Sequence, residues 1–159
     1  MNRRAFMISG VTLLLPTASH ASDTIGGRYA ANGKDVKLAF VSAYVTDGMS
    51  GKPAVVIVMT EKDHSASKRP TWDADFGKFG SALTISLHRE DGRIYGCQVG
   101  HQGLKRSPVS SIGTVKAEGL KLEGDRVKVR ITSGGPMKIF DEQVDIDLQV
   151  DAAIRPKLA

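Results

Sequence analysis

The chain has 159 residues, of which 41% are hydrophobic, 25% charged and 6% aromatic. This composition is that of an ordinary globular domain and argues against intrinsic disorder and against a collagen-like repeat. The formal net charge is +5, but basic and acidic residues are interspersed, as in 116–130, so the charge does not predict a nucleic-acid partner.

The first 21 residues have the pattern of a signal peptide. Their apolar run of 11 residues would rise about 16 Å as a helix, which is too short for a hydrocarbon core of about 30 Å, so no transmembrane anchor is expected. The mature chain, 22–159, is therefore expected to be periplasmic or secreted. The parts of the signal are a positive region (Arg3, Arg4), the apolar run (5–15), a helix-breaking Pro16 and small residues at the cleavage positions (Ser19, Ala21).

The export route stays open between two alternatives. Residues 3–7, Arg-Arg-Ala-Phe-Met, resemble the twin-arginine signal, but an ordinary secretory signal with two arginines fits equally. Removal of Arg3 and Arg4 lowers the net charge from +5 to +3. Because Cys97 is the one cysteine, no internal disulfide can form, and the stability of the single expected domain must come from its hydrophobic core.

From residue 22 onward, apolar residues recur with period two in short runs that Gly, Asn or Asp interrupts. This pattern predicts an all-β fold, a single antiparallel β-sandwich or barrel of about 7–9 strands. Asn32-Gly33 predicts a type I′ hairpin turn that places Tyr29 opposite Val36. The six consecutive apolar residues 54–59 predict a central strand that is covered on both faces.

One long loop, 61–78, does not have the pattern of a strand. It is rich in charged residues, has Trp72 and Phe76 as its large apolar members, and fits a short helical turn from Asp73. Long connections of this kind often carry function, so this loop is the first candidate for a functional segment. The second candidate is the glycine-rich segment 96–103 with the residues 104–108 that follow it.

The second predicted hairpin turns at residues 90–92. A three-residue loop with Gly92 in the left-handed region pairs Leu87 with Tyr95, Ile85 with Cys97 and Leu83 with Val99, which puts all six side chains on one face. Further strands are predicted at 112–122 and 126–132. The last is 142–150, where apolar and polar residues alternate as in a strand with one wet face.

No motif in the sequence predicts catalysis, metal binding or a cofactor. Cys97 and His101 would share a helix face, but in a strand they lie about 13 Å apart, so Cys97 is expected to be a buried thiol. Neither a Gly-x-Ser-x-Gly elbow nor a phosphate loop occurs. Asp73 and Asp75 beside Trp72 are similar to the carboxylate pair and sugar platform of a glycosidase, but carboxylates at this spacing are common in loops.

Several segments resemble a pattern in small exported bacterial proteins that have no assigned activity. They are residues 79–83 (FGSAL), 92–99 (GRIYGCQV), His101 and 110–113 (SSIG). The resemblance implies a β-rich exported domain, and it implies no substrate and no catalytic residue.

We expect a non-enzymatic binding protein that contacts an exported protein partner, for example as an inhibitor of or immunity protein for a periplasmic enzyme. The alternative is a small periplasmic enzyme or ligand carrier with a pocket in the β scaffold. For Trp72, the alternatives are a binding hot spot ringed by charges and a side chain that closes one end of the sandwich. The candidate binding residues are His64, Lys68, Arg69, Trp72, Asp73 and Asp75 in the first loop and His101, Lys105 and Arg106 in the second.

Overall fold

The computed structural model describes residues 21–158, so most of the predicted signal peptide, 1–20, lies outside the described residues. The chain is mostly β, with 54% strand and 6% helix. The strands are β1 (Thr24–Ala31), β2 (Lys34–Asp35), β3 (Phe40–Asp47), β4 (Pro53–Thr60), β5 (Ala82–His88), β6 (Ile94–Gly100), β7 (Val109–Ser110), β8 (Lys116–Glu123), β9 (Arg126–Thr132), β10 (Met137–Ile139) and β11 (Glu142–Arg155); the helices are α1 (Pro70–Asp75) and a short 3-10 helix (Met49–Gly51).

The strands form one curled mixed sheet of 11 strands, a half-barrel. The all-β prediction is confirmed, whereas the prediction of a purely antiparallel sheet of fewer strands is wrong. The sheet is mixed because β11 continues to Arg155 and pairs in parallel with β3 through Ile154 and Ala43. The alternation that marks β11 in the sequence ends at Val150, so this extension has no sequence signal. Three of the strands have only two or three residues each, which is too few for an alternation of apolar and polar residues to be recognised in the sequence. They are β2, β7 and β10.

Strand β11 joins the two halves of the sheet. One of its edges pairs with β1 and then with β3, and the other edge pairs with β10 and β9. Strands β3 to β7 follow one another on one side. Apolar side chains from both halves face each other and form the main core, which includes Ile57, Ile85, Ile131, Ile146 and Leu148.

The two predicted hairpins are present. Asn32 and Gly33 both have positive φ, 49° and 77°, and the Val36 amide donates to the Tyr29 carbonyl at 2.9 Å. Gly92 has a φ of 70° as predicted, and Ile85 pairs with Cys97 and Leu83 with Val99.

The pairing of Leu87 with Tyr95 is wrong, because a bulge pairs Leu87 with Ile94 instead. Tyr95 lies with its ring 4.6 Å from that of His88.

Cys97 is fully buried, as predicted, and burial raises the pKa of its thiol to about 12.

The long loop contains α1, which begins at Pro70 and not at Asp73. Proline favours this start because its fixed φ suits the first helical position, where no amide hydrogen is needed. The helix packs on the outer face of the sheet through Ala74, next to Val58 and Phe79. Within 21–158, no helix is long and apolar enough to cross a membrane.

Strand β8 is an edge of the sheet, and its one partner among the described strands is β9. Its register shifts between Glu118 and Lys121, at Gly119, which has a φ of 61°. All four of its charged side chains are exposed.

Candidate functional site

The two candidate loops meet at a surface cleft of about 530 Å³. One wall is the end of α1 with the residues that follow it, and the other wall is the segment 100–108. The side chains that line it are Asp75, Phe76, His101, Gln102, Leu104, Ser107 and Pro108, with Ala74 below.

Two polar side chains hold this region together, Glu61 between the two loops and Tyr29 between the strands that adjoin them. The Glu61 carboxylate, at the start of the first loop, accepts the Ser81 amide at 3.0 Å and the Gln102 side-chain amide at 2.8 Å. The Tyr29 hydroxyl, which is buried, reaches the Ala82 carbonyl at 2.8 Å and the Gly100 carbonyl at 3.0 Å. The floor of the cleft is therefore held by contacts between residues that are distant in sequence, and sequence reasoning missed both Glu61 and Tyr29 as site residues.

Trp72 and Phe76 form an exposed aromatic pair beside the cleft. Trp72 is 56% and Phe76 71% exposed, and their ring centroids lie 4.7 Å apart. Trp72 lies on α1, whose buried residues are Pro70 and Ala74, and Phe76 follows directly after the end of this helix. Trp72 therefore does not close an end of the sheet, which was one of the two alternatives for it.

Several positive side chains lie near this aromatic pair. The Arg69 guanidinium lies 6.0 Å from the centre of the Trp72 ring, and Lys68 is exposed beside it. Across the cleft, Lys105 and Arg106 are also exposed. In the part of the chain that the structure describes, none of these four cations forms an ion pair.

The two candidate carboxylates of α1 have different surroundings. Asp73 accepts the Ser67 hydroxyl at 2.7 Å and the Lys78 ammonium at 3.0 Å, and these hydrogen bonds lower its pKa. Asp75 faces the cleft, accepts only a 3.2 Å hydrogen bond from Thr84, and has a pKa that burial raises. Asp73 therefore forms hydrogen bonds within the loop, and Asp75 is the carboxylate available to a ligand.

His64 does not reach the surface, since it is 2% exposed. Its Nδ1 lies 2.6 Å from the Thr60 hydroxyl, and its Nε2 lies 2.6 Å from the Ser42 hydroxyl. Because Thr60 donates its proton to the Lys62 carbonyl, Nδ1 must donate to Thr60, and Ser42 donates to Nε2. This is the geometry of a serine–histidine pair, but Ser42 is 1% exposed, so the pair is buried and its hydrogen bonds hold the loop.

His101 is also buried, with 1% exposed. Its Nδ1 accepts the Gly103 amide at 2.8 Å, which places the proton on Nε2. Its ring meets the Tyr29 ring edge-on at 5.0 Å, and Nε2 has no hydrogen-bond partner among residues 21–158. His101 thus positions the second wall of the cleft, as His64 positions the first loop.

Acid should destabilise the protein through these two histidines. Burial is the main cause of the lowered pKa of both His64 and His101. For His64, the charge of Asp63 raises the pKa and the charge of Arg155 lowers it further. For His101, the charge of Lys34 lowers the pKa, and the charges of Glu61 and Asp35 raise it. The unfolded chain, with histidine pKa values of about 6.5, therefore takes up protons first as the pH falls.

This contribution to stability is fully present above about pH 6.5 and is lost as the pH falls toward the folded-state values. We expect the urea midpoint to fall between about pH 7.5 and about pH 5, with Asp75 opposing part of the change because its raised pKa acts in the opposite direction. Proton NMR of the histidine rings provides the direct check. Ring titrations at or above the unfolded value would contradict this account.

Comparison with known proteins adds no relative: no family model, no curated protein and no solved structure matches the chain. Among the described residues, no group of three or more His, Cys, Asp or Glu side chains is arranged as a metal site. The site is therefore defined by its own geometry. It combines a cleft with Asp75 and His101 in its walls, an exposed aromatic pair at one rim, and unpaired cations on both sides.

Proposed function

We propose that the protein is an exported, non-enzymatic binding protein that engages an exported protein partner through Trp72 and Phe76. The observation that carries the proposal is the exposure of this aromatic pair on and just after a helix that is anchored by its opposite face. Aromatic side chains and arginine are the residues that most often dominate the binding energy of protein interfaces. The predicted signal peptide supports an exported partner.

The charges around the pair indicate the chemistry of the partner surface. Lys68 and Arg69 flank the aromatic rings, and Lys105 and Arg106 extend the positive charge beyond the cleft. A partner surface with an apolar pocket and carboxylates around it is complementary to this arrangement. An inhibitor or immunity role toward a periplasmic enzyme is one concrete form of such binding, because it requires a rigid surface and no catalysis.

Replacement of Trp72 by alanine should remove binding without unfolding the protein. We expect affinity to fall by about 2 kcal/mol or more, because the ring is an interface anchor, while stability changes by less than about 1 kcal/mol, because more than half of the side chain is exposed. The matched control is Met49→Ala, which removes a 66% exposed apolar side chain from the 3-10 helix between β3 and β4.

The experiment is affinity capture from a periplasmic extract with wild-type, Trp72→Ala and Met49→Ala baits, followed by mass spectrometry. A protein held by the wild type and the Met49 variant but not by the Trp72 variant supports the proposal. Since Trp72 is the one tryptophan, its fluorescence should shift to shorter wavelength when the purified partner is added. If no protein is enriched, or if the Trp72 variant captures the same protein equally well, the proposal is wrong.

A further inference from the structure

A second aromatic side chain is exposed at the turn between β10 and β11. Phe140 is 75% exposed, and its φ of 54° lies in the left-handed region. A bulky side chain is uncommon there, because the Cβ atom crowds the backbone and glycine or asparagine is usual in such turns. The turn therefore displays an apolar ring at its tip at a cost in backbone strain, and such strain is concentrated at functional positions.

Glu142, two residues further along, ties this turn to the segment 100–108. Its carboxylate accepts the amides of Lys105 at 2.6 Å and Arg106 at 3.2 Å and the side-chain amide of Asn32 at 2.9 Å. Those hydrogen bonds lower the pKa of the carboxyl group, and Glu142 is only 7% exposed. The backbone of the segment is thus fixed next to the Phe140 turn.

The surface around Phe140 is positive. Lys34, Lys105, Arg106 and Lys138 are exposed there, and within residues 21–158 none of them forms an ion pair. The acidic residues of the same region are Asp141, which is exposed, and Glu142, whose carboxylate is buried. Asp35 is already paired with Arg28.

We propose that the Phe140 turn is a contact with an anionic lipid surface, in which the ring enters the headgroup region and Lys34, Lys105, Arg106 and Lys138 bind lipid phosphates. A projecting aromatic side chain with cations at its base is the arrangement that interfacial membrane contacts use. The tip of a turn is convex, and a deformable lipid surface accepts such a tip without a matching pocket. This contact shares Lys105 and Arg106 with the rim of the cleft, but it is centred on Phe140 and requires neither Trp72 nor Phe76.

The test is cosedimentation of the protein with vesicles of equal parts phosphatidylglycerol and phosphatidylethanolamine, with vesicles of phosphatidylcholine as the comparison. We expect binding to the anionic vesicles only, weakened by added salt because salt screens the phosphate contacts. Lys105→Gln should lower the apparent affinity about five-fold, as loss of one basic residue near an anionic surface does.

Phe140→Gly is the decisive variant, with Met49→Gly as its control at another exposed apolar position. Glycine adopts positive φ freely, so Phe140→Gly should keep or raise the melting temperature while vesicle binding is lost. A variant with Trp72→Phe and Phe140→Trp should show a fluorescence shift to shorter wavelength on anionic vesicles.

Equal vesicle binding by Phe140→Gly and the wild type would overturn the proposal, as would no binding by the wild type or an equal loss with Met49→Gly. Loss of a captured protein partner by Phe140→Gly, without any vesicle binding, would assign the turn to a protein interface instead. Retention of vesicle binding by Trp72→Ala would show that this contact and the proposed partner surface are independent.

Discussion

A methyl group at Gly27 should prevent the native pairing of β1 with β11. A Cβ atom at this position would lie 2.1 Å from the Asp147 carbonyl oxygen and 3.1 Å from the Leu148 Cα atom, both in the backbone of β11. Gly27 also has a φ of 121°, which side-chain-bearing residues rarely adopt. Because backbone atoms cannot move aside without breaking the ladder, we expect Gly27→Ala to cost more than about 4 kcal/mol or to abolish folding.

Gly26 provides the control one residue earlier in the same strand. A Cβ atom at Gly26 would have no atom of the described chain within 4 Å other than those of its own and the adjacent residues, so Gly26→Ala should change stability by no more than about 1 kcal/mol. Urea unfolding followed by Trp72 fluorescence and far-ultraviolet circular dichroism measures both variants. Equal midpoints for the two variants would show that the pairing of β1 with β11 is not as described.

Removal of the Tyr29 hydroxyl should loosen the cleft. The hydroxyl is the donor that reaches the carbonyls of Ala82 and Gly100, at the start of β5 and the end of β6. Tyr29→Phe should cost about 1 to 2 kcal/mol, because a buried hydrogen bond is lost while the ring still fills its place. Amide hydrogens in the segment 100–108 should exchange faster in this variant.

Tyr44→Phe is the matched control, since the Tyr44 ring is 5% exposed but its hydroxyl donates no hydrogen bond within the described chain. We expect this variant to keep the wild-type melting temperature and the wild-type exchange rates in the segment 100–108. If both variants lose the same stability, the effect belongs to core packing and not to the hydroxyl of Tyr29.

The strands and turns were predictable where local chemistry determines them. Asn32-Gly33 selects a turn with positive φ at both residues, and the alternation in 142–150 identifies the buried face of β11. The parallel pairing of Ile154 with Ala43 was not predictable, because it joins distant parts of the chain without a turn between them. The bulge that separates Leu87 from Tyr95 is likewise a property of the paired strands and not of either alone.

The composition of the sequence identified the two candidate loops, but it did not indicate that they lie next to each other in the fold. The hydrogen bond from Gln102 to Glu61 spans 41 residues, and nothing near either residue in the sequence indicates it. His64 lies in a polar stretch, and its burial depends on Ser42 and Thr60, which provide hydroxyls from two strands. The exposure of Trp72 depends on which face of α1 packs on the sheet. The helix has too few residues for the spacing of its apolar side chains to indicate that face.

Strand β8 carries features that oppose association through the free edge of the half-barrel. An unpaired strand edge offers backbone donors and acceptors to the same edge of another molecule, and repeated pairing of this kind leads to fibrils. The register shift around Gly119 interrupts the regular row of backbone donors and acceptors on β8, and its exposed side chains include the charges of Lys116, Glu118, Lys121 and Glu123. Interrupted pairing and charged side chains both make an edge strand a poorer template for a second copy, so the free edge of β8 opposes its own extension.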